Sequence, residues 1–268
     1  LADAMWSILA LILSLGSSPM QTAAAPPDVD VELLLAVDVS GSMDMEEARV
    51  QRSGYVQALR HPDFINAIEG GFLGRIAIGY FEWAGLVNEA SLVGWQVIEN
   101  AKDADAFASL IEARPIGPRR GTSLSNAILF GTNLIESNAF SGTRRVLDIS
   151  GDGPNNTGPP VPPARDAALA RGIVINGLAI MIRPSFSTGP LDEYYTACVI
   201  GGPGSFVLPV HEPEDFAIAI RQKLVLEVSG LTPEPAATPA AAHAAADCMI
   251  GERLRPGFLD RIYPELDR

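Results

Sequence analysis

The sequence predicts an α/β protein: a doubly wound, mostly parallel sheet with one antiparallel edge strand and helices on both faces. Three observations carry that expectation. Residues 31–37 (VELLLAV), 145–150 (RVLDIS) and 173–181 (IVINGLAIM) are short runs dense in Val, Leu and Ile, as in strands buried on both faces. Stretches with apolar residues at helical spacing separate them, the alternation that builds parallel sheets. Polar loops rich in acids and hydroxyls follow the strands, at the carboxyl ends where open α/β sheets bind ligands.

Taken in order, the chain begins with an apolar block at residues 5–15, too short to span a bilayer comfortably. Small residues follow it, and residues 1–25 read as a secretory signal peptide, although no Lys or Arg precedes the block. Uncleaved, that leader would be the chain's link to a membrane. After the first strand, residues 46–60 read as a helix with Ala48, Tyr55, Val56 and Leu59 on one face, ended by His61-Pro62. One short helical turn is expected over 64–68. Residues 74–83 and 92–98 read as strands joined through Gly85 and Asn88, an antiparallel hairpin at the sheet's edge.

A helix is expected over 103–112, capped by Asp103 and ended by Pro115. Thr122 opens a pattern in which Leu124, Ala127, Ile128, Gly131, Leu134 and Ile135 share a side. The strand at 145–150 runs into Gly151-Asp152-Gly153. A helix at 164–171, the strand at 173–181, a helical stretch at 191–199 and a short strand at 205–210 come next. A closing helix over 215–228 turns Phe216, Ile220, Leu224 and Val228 inward. The domain thus covers 28–230, followed by an Ala/Pro-rich linker at 231–246 and a tail at 247–268.

Composition narrows the function. The 268 residues are 47% hydrophobic, enough for one full-size core, and carry a net charge of −13. That balance speaks against a nucleic-acid partner, which needs a dominant basic stripe. In an exported protein Cys198 and Cys248 can form a disulfide tying the tail to the domain; two unrelated buried thiols is the alternative. Asp148 lies inside an apolar strand and needs a partner, for which Arg75 and Arg145 are the candidates.

The most informative stretch is Asp38-Val39-Ser40-Gly41-Ser42, a D-x-S-x-S pattern between the first strand and a helix start. One carboxylate and two hydroxyls are oxygen donors suited to a hard divalent cation, and no Cys or His lies nearby to favour zinc or copper. The pattern alone also suits a helix N-cap by Ser42 or Asp44. Two further loops repeat the design, Thr122 ahead of a helix and Asp152 after a strand, adding a hydroxyl and an acid at the same expected sheet end.

With these motifs in view, residues 28–230 resemble von Willebrand factor type A domains, whose Rossmann-like fold carries a metal-ion-dependent adhesion site. The segments YFEWAG, SGDGPNN and INGLAI further resemble a bacterial branch, the domain of unknown function 1194. The resemblance implies that Ser40, Ser42 and Thr122 ligate Mg²⁺ (or Mn²⁺ or Ca²⁺) directly, while Asp38 and Asp152 act mainly through ordered waters. It implies a protein partner whose Asp or Glu completes the octahedron. One departure is that Ser150-Gly151 precedes Asp152, where many members have a bulky run ending in T-D-G.

Around this set, Glu82, Arg120, Asn155 and Asn156 are candidates for a ligand-binding rim, with Arg119 beside them; structural roles are the competing readings. Enzymatic readings find little: there is no G-x-S-x-G elbow and no phosphate-binding glycine loop. The expected function is an exported, non-enzymatic, metal-dependent binding module. The alternatives are a hydrolase or phosphoryl-transfer enzyme using Asp38, or a metal that only stiffens the loops.

Overall fold

The computed structural model describes residues 26–41, 45–117, 120–183, 187–233 and 246–255. The expected leader, most of the linker, and Ser42, Asp44 and Arg119 lie outside them. Among the described residues one sheet has the order β3-β2-β1-β4-β5-β6, with strands at Asp28–Asp38 (β1), Ile76–Trp83 (β2), Val87–Ile98 (β3), Ser141–Gly151 (β4), Ile173–Ile180 (β5) and Val207–Val210 (β6). Every neighbouring pair is parallel except β2 with β3. The expected edge hairpin is there, and β3 begins earlier than the sequence suggested because the chain turns tightly after Trp83.

The sheet is covered on both sides, as the unbroken apolar runs demand. In β1, Val31, Leu33, Leu35 and Val37 join one core, while Leu34 and Ala36 join the other. Helices α1 (Met45–Leu59), α2 (Pro62–Glu69), α3 (Ala101–Glu112) and α7 (Phe216–Ser229) pack on the first face. Helices α4 (Leu124–Glu136), α5 (Val161–Leu169) and α6 (Leu191–Tyr194), with the wide turn Tyr195–Val199 that continues α6, pack on the second. All four α7 residues expected to face inward are buried. A last short helix, α8 (Ile250–Leu254), lies beyond the linker.

Two sequence-based expectations need correction. Asn100, rather than Asp103, caps α3: its side-chain oxygen accepts from the backbone N–H groups of Lys102 (3.0 Å) and Asp103 (3.2 Å). Asp103 instead accepts from the Asn100 amide at 2.9 Å. Asp148 pairs with neither Arg75 nor Arg145. Its carboxylate meets Lys223 Nζ from α7 at 2.6 Å, and Lys223 also pairs with Glu227 one turn on. All three are buried, with the Lys223 ammonium 5.6 Å from the Phe206 ring centroid and Asn176 donating to Glu227 at 3.1 Å. Sequence distance hid this pairing, because a Lys in the closing helix carries no mark of the strand it will face.

Candidate functional site

After β1 the chain crosses to β2 on one side, and after β4 to β5 on the other, so adjacent β1 and β4 form a topological switch point. In open α/β sheets a crevice opens outside the strand ends at that point. Asp38 closes β1 there, and Asp152 follows β4. Their strands are in register, Val37 facing Ser150, which brings the two acids to the same end.

Asp38 is fully buried. The Ser40 backbone N–H donates to Oδ1 at 2.6 Å, forming the turn that brings Ser40, itself buried, back over the strand end. Among the described residues Oδ2 has no hydrogen-bond partner. Burial pushes the Asp38 carboxyl well above the usual carboxylate range, and the Asp152 charge pushes it further; Ser40 and the Asp152 backbone oppose the shift.

The Thr122 loop is fastened to the loop after β4. Thr122 N–H donates to Asn156 Oδ1 at 2.9 Å, and Thr122 C=O accepts from the N–H groups of Asn156 (2.9 Å) and Thr157 (3.2 Å). Gly121 turns with φ +74°, where a side chain would be strained. Ser123 caps α4, accepting from Asn126 N–H at 3.3 Å, which leaves the Thr122 hydroxyl out of the helix cap. Thr122, Asp152, Gly153, Asn156 and Arg183 line a cleft of about 240 Å³ beside the strand ends.

The rim candidates divide. Arg120 is exposed and Asn156 half-buried. Glu82 and Asn155, by contrast, are fully buried and work from behind the surface rather than on it. Glu82 Oε1 meets the Arg52 guanidinium at 2.6 Å and accepts from Tyr80 Oη at 2.8 Å. Burial raises the Glu82 carboxyl, and the Arg52 charge opposes that. Asn155 Oδ1 accepts from Ser125 N–H at 3.2 Å, and its amide donates to Pro159 C=O at 3.2 Å.

Tyr195 was not singled out in the sequence. It is fully buried, and among the described residues its hydroxyl has no hydrogen-bond partner. A Cβ placed on Gly151 would lie 2.6 Å from that hydroxyl and 3.0 Å from Asp38 Oδ2. The glycine before Asp152 is thus the space into which the phenol fits, a physical reason for Gly151 at this position. Burial raises the Tyr195 hydroxyl well above its ordinary value, followed by the charges of Asp38 and Asp152. A tyrosine in a helical stretch far along the chain gives no local sign of reaching this point.

The described residues contain no cluster of three or more His, Cys, Asp or Glu side chains suited to a metal; what gathers near the strand ends is hydroxyls with two acids. That set fits a hard divalent ion. Asp38 and Asp152 repel one another in a poorly solvated crevice, and among the described residues one Asp38 oxygen has no hydrogen-bond partner. A cation among them would relieve both penalties.

Residues 28–232 match the family described as "Protein of unknown function (DUF1194)". No curated protein matches the sequence. Among solved structures, the chain is similar to the pilus adhesin SpaC from Lactobacillus rhamnosus GG (TM-score 0.56, 12% identity, 79% of this chain and 31% of that one). It is also similar to proximal thread matrix protein 1 from the mussel byssus, in a structure with a zinc-occupied MIDAS motif (TM-score 0.53, 15% identity, 77% and 50%). A von Willebrand factor type A protein from Catenulispora acidiphila gives a TM-score of 0.52 at 12% identity, over 75% and 43%. The chain spans half or less of the length of each. These likenesses show the fold, which is the Rossmann-like von Willebrand A architecture.

Proposed function

The chain belongs to the DUF1194 family, and from that premise and the geometry above we propose that it is an exported module capturing a protein partner through a divalent ion, Mg²⁺ foremost, with Mn²⁺ or Ca²⁺ as substitutes. The observation that carries this reading is the buried Asp38, with one oxygen that no described residue partners, set against Asp152 at the switch point. Ser40, Ser42 and Thr122 would hold the ion, and Asp38 and Asp152 would hold its waters. When bound, the ion supplies an electrophilic position that a partner's Asp or Glu fills, since a low direct carboxylate count leaves its charge unspent.

Arg120 and Asn156 then face the incoming acid, with Glu82 and Asn155 supporting them from within. The zinc in the mussel protein's motif supports a divalent ion in this setting. The net charge of −13 speaks against nucleic acid as the partner, and the apolar leader supports export.

Calorimetric titration of the purified chain with Mg²⁺ and Mn²⁺ tests the reading. Asp38→Asn should abolish metal binding while leaving the metal-free melting temperature unchanged or raised, because it removes a buried charge that burial and Asp152 both oppose. At a Mg²⁺ concentration of 100 times its Kd, the wild type should gain about 2.7 kcal/mol of stability that the variant lacks. No heat with either ion, or Mg²⁺-restored turnover of a generic phosphoester lost in Asp38→Asn, would sink the binding-module reading.

A further inference from the structure

The described stretch from the linker's last residue into the tail, Ala246 to Arg255, lies outside the region matched by the family, yet it is joined to two walls of the metal crevice. The first join is covalent. Cys198 and Cys248 form a disulfide, and Cys198 belongs to the turn that carries Tyr195. Tyr194 reinforces it, its hydroxyl donating to Cys248 C=O at 3.4 Å and accepting from Asn155 N–H at 3.2 Å.

The second join is to the loop that follows Asp152. Glu252, nearly buried, accepts from the Asn155 amide at 2.6 Å. Arg255 donates to Asn156 C=O at 3.3 Å and to the Thr157 hydroxyl at 2.8 Å. Between them α8 lies on the loop backbone itself. A Cβ on Gly251 would stand 2.1 Å from Asn155 C=O, so only glycine admits this approach.

Asn155, Asn156 and Thr157 are the residues that fasten the Thr122 loop, and they belong to the loop that Asp152 opens. The tail therefore holds one candidate ligand residue, Thr122, through the 155–157 backbone, and braces the turn bearing Tyr195 beside Asp38. We propose that Ala246–Arg255 is a built part of the binding site, a strap whose positioning residues Gly251, Glu252 and Arg255 set the site's metal affinity. This rests on the metal-site reading above. It adds a dependence that the family-matched residues alone would not have. A bracing segment acts by pre-organisation: it removes loop conformations in which the donors are apart, so its loss lowers affinity without removing a ligand.

The test is Mg²⁺ and Mn²⁺ calorimetry on the full chain carrying Gly251→Val, Glu252→Ala, Glu252→Gln or Arg255→Ala, alongside circular dichroism and the metal-free melting temperature. Gly251→Val should weaken Mg²⁺ binding at least tenfold in a chain that keeps its secondary structure. Glu252→Ala should weaken it several-fold and Glu252→Gln should restore it, since the amide oxygen still accepts from Asn155. Arg255→Ala, at an exposed position, guards against an unfolded Gly251 variant and should weaken binding about threefold. Wild-type binding with affinities unchanged in Glu252→Ala and Arg255→Ala overturns the strap and leaves the metal site standing. A wild type that takes no ion overturns both. A drop in melting temperature with unaltered affinity assigns the tail a purely structural role and overturns the proposal.

Discussion

Replacing Lys223 with Met is expected to destabilise the protein by about 3–5 kcal/mol, the range for removing one member of a buried ion pair. The ammonium is the cation placed between two buried carboxylates, Asp148 in the central strand β4 and Glu227 on α7. Without it the two acids face each other in the core with no cation between them. Urea denaturation followed by circular dichroism reads the loss as a fall in midpoint. A change under 1 kcal/mol would mean that water reaches the cluster or that the pair is not formed.

The same cluster has a pH signature. Burial, and then the Asp148 charge, raise the Glu227 carboxyl to about 8, with Lys223 opposing both. A carboxyl whose folded value is raised favours the folded state in its protonated form. Its contribution is complete below the unfolded value and fades as pH climbs toward about 8. Glu227→Gln mimics the protonated form and should flatten that part of the profile, so its advantage over wild type grows between pH 5 and pH 8.

The Cys198–Cys248 disulfide supports the second large effect. It closes a sequence separation of 50 residues, for which chain entropy gives about 4 kcal/mol of stabilisation, with native bridges in small exported domains spanning about 2–5 kcal/mol. Cys198→Ala with Cys248→Ala should lower the unfolding free energy by that amount without altering the sheet, since Cys198 packs against α5 and β5 as a small buried group. Equal stability of the reduced and oxidised chains would show that the unfolded ensemble already holds the tail close.

The architecture was legible because its signals are local. Unbroken Val/Leu/Ile runs named the strands, Gly85 and Asn88 marked the hairpin, and Asp38-x-Ser40 announced a strand end with donors. What the sequence hid was long-range. Lys223 meets Asp148, and Tyr195 reaches Gly151, only after the sheet has assembled. Glu82 and Asn155 read as surface residues because their types usually are, and it is distant partners, Arg52 and Glu252 among them, that hold them inside. Asn100 took the cap from Asp103 because the helix begins two residues before the first acid suggested.

The borders of the sheet bear on how this protein can meet another chain. At one side β6 is only the four residues Val207–Val210, and Pro209 within it has no N–H to donate. At the other, β3 is long, but its pairing with β2 slips between Ile78 and Tyr80 and again between Tyr80 and Glu82. Neither flank offers a straight template on which a foreign strand could zip up, which limits fibre growth by edge addition. Another chain meeting this sheet therefore finds its edges poor ground, and the loops beyond the strand ends are the surface left to it.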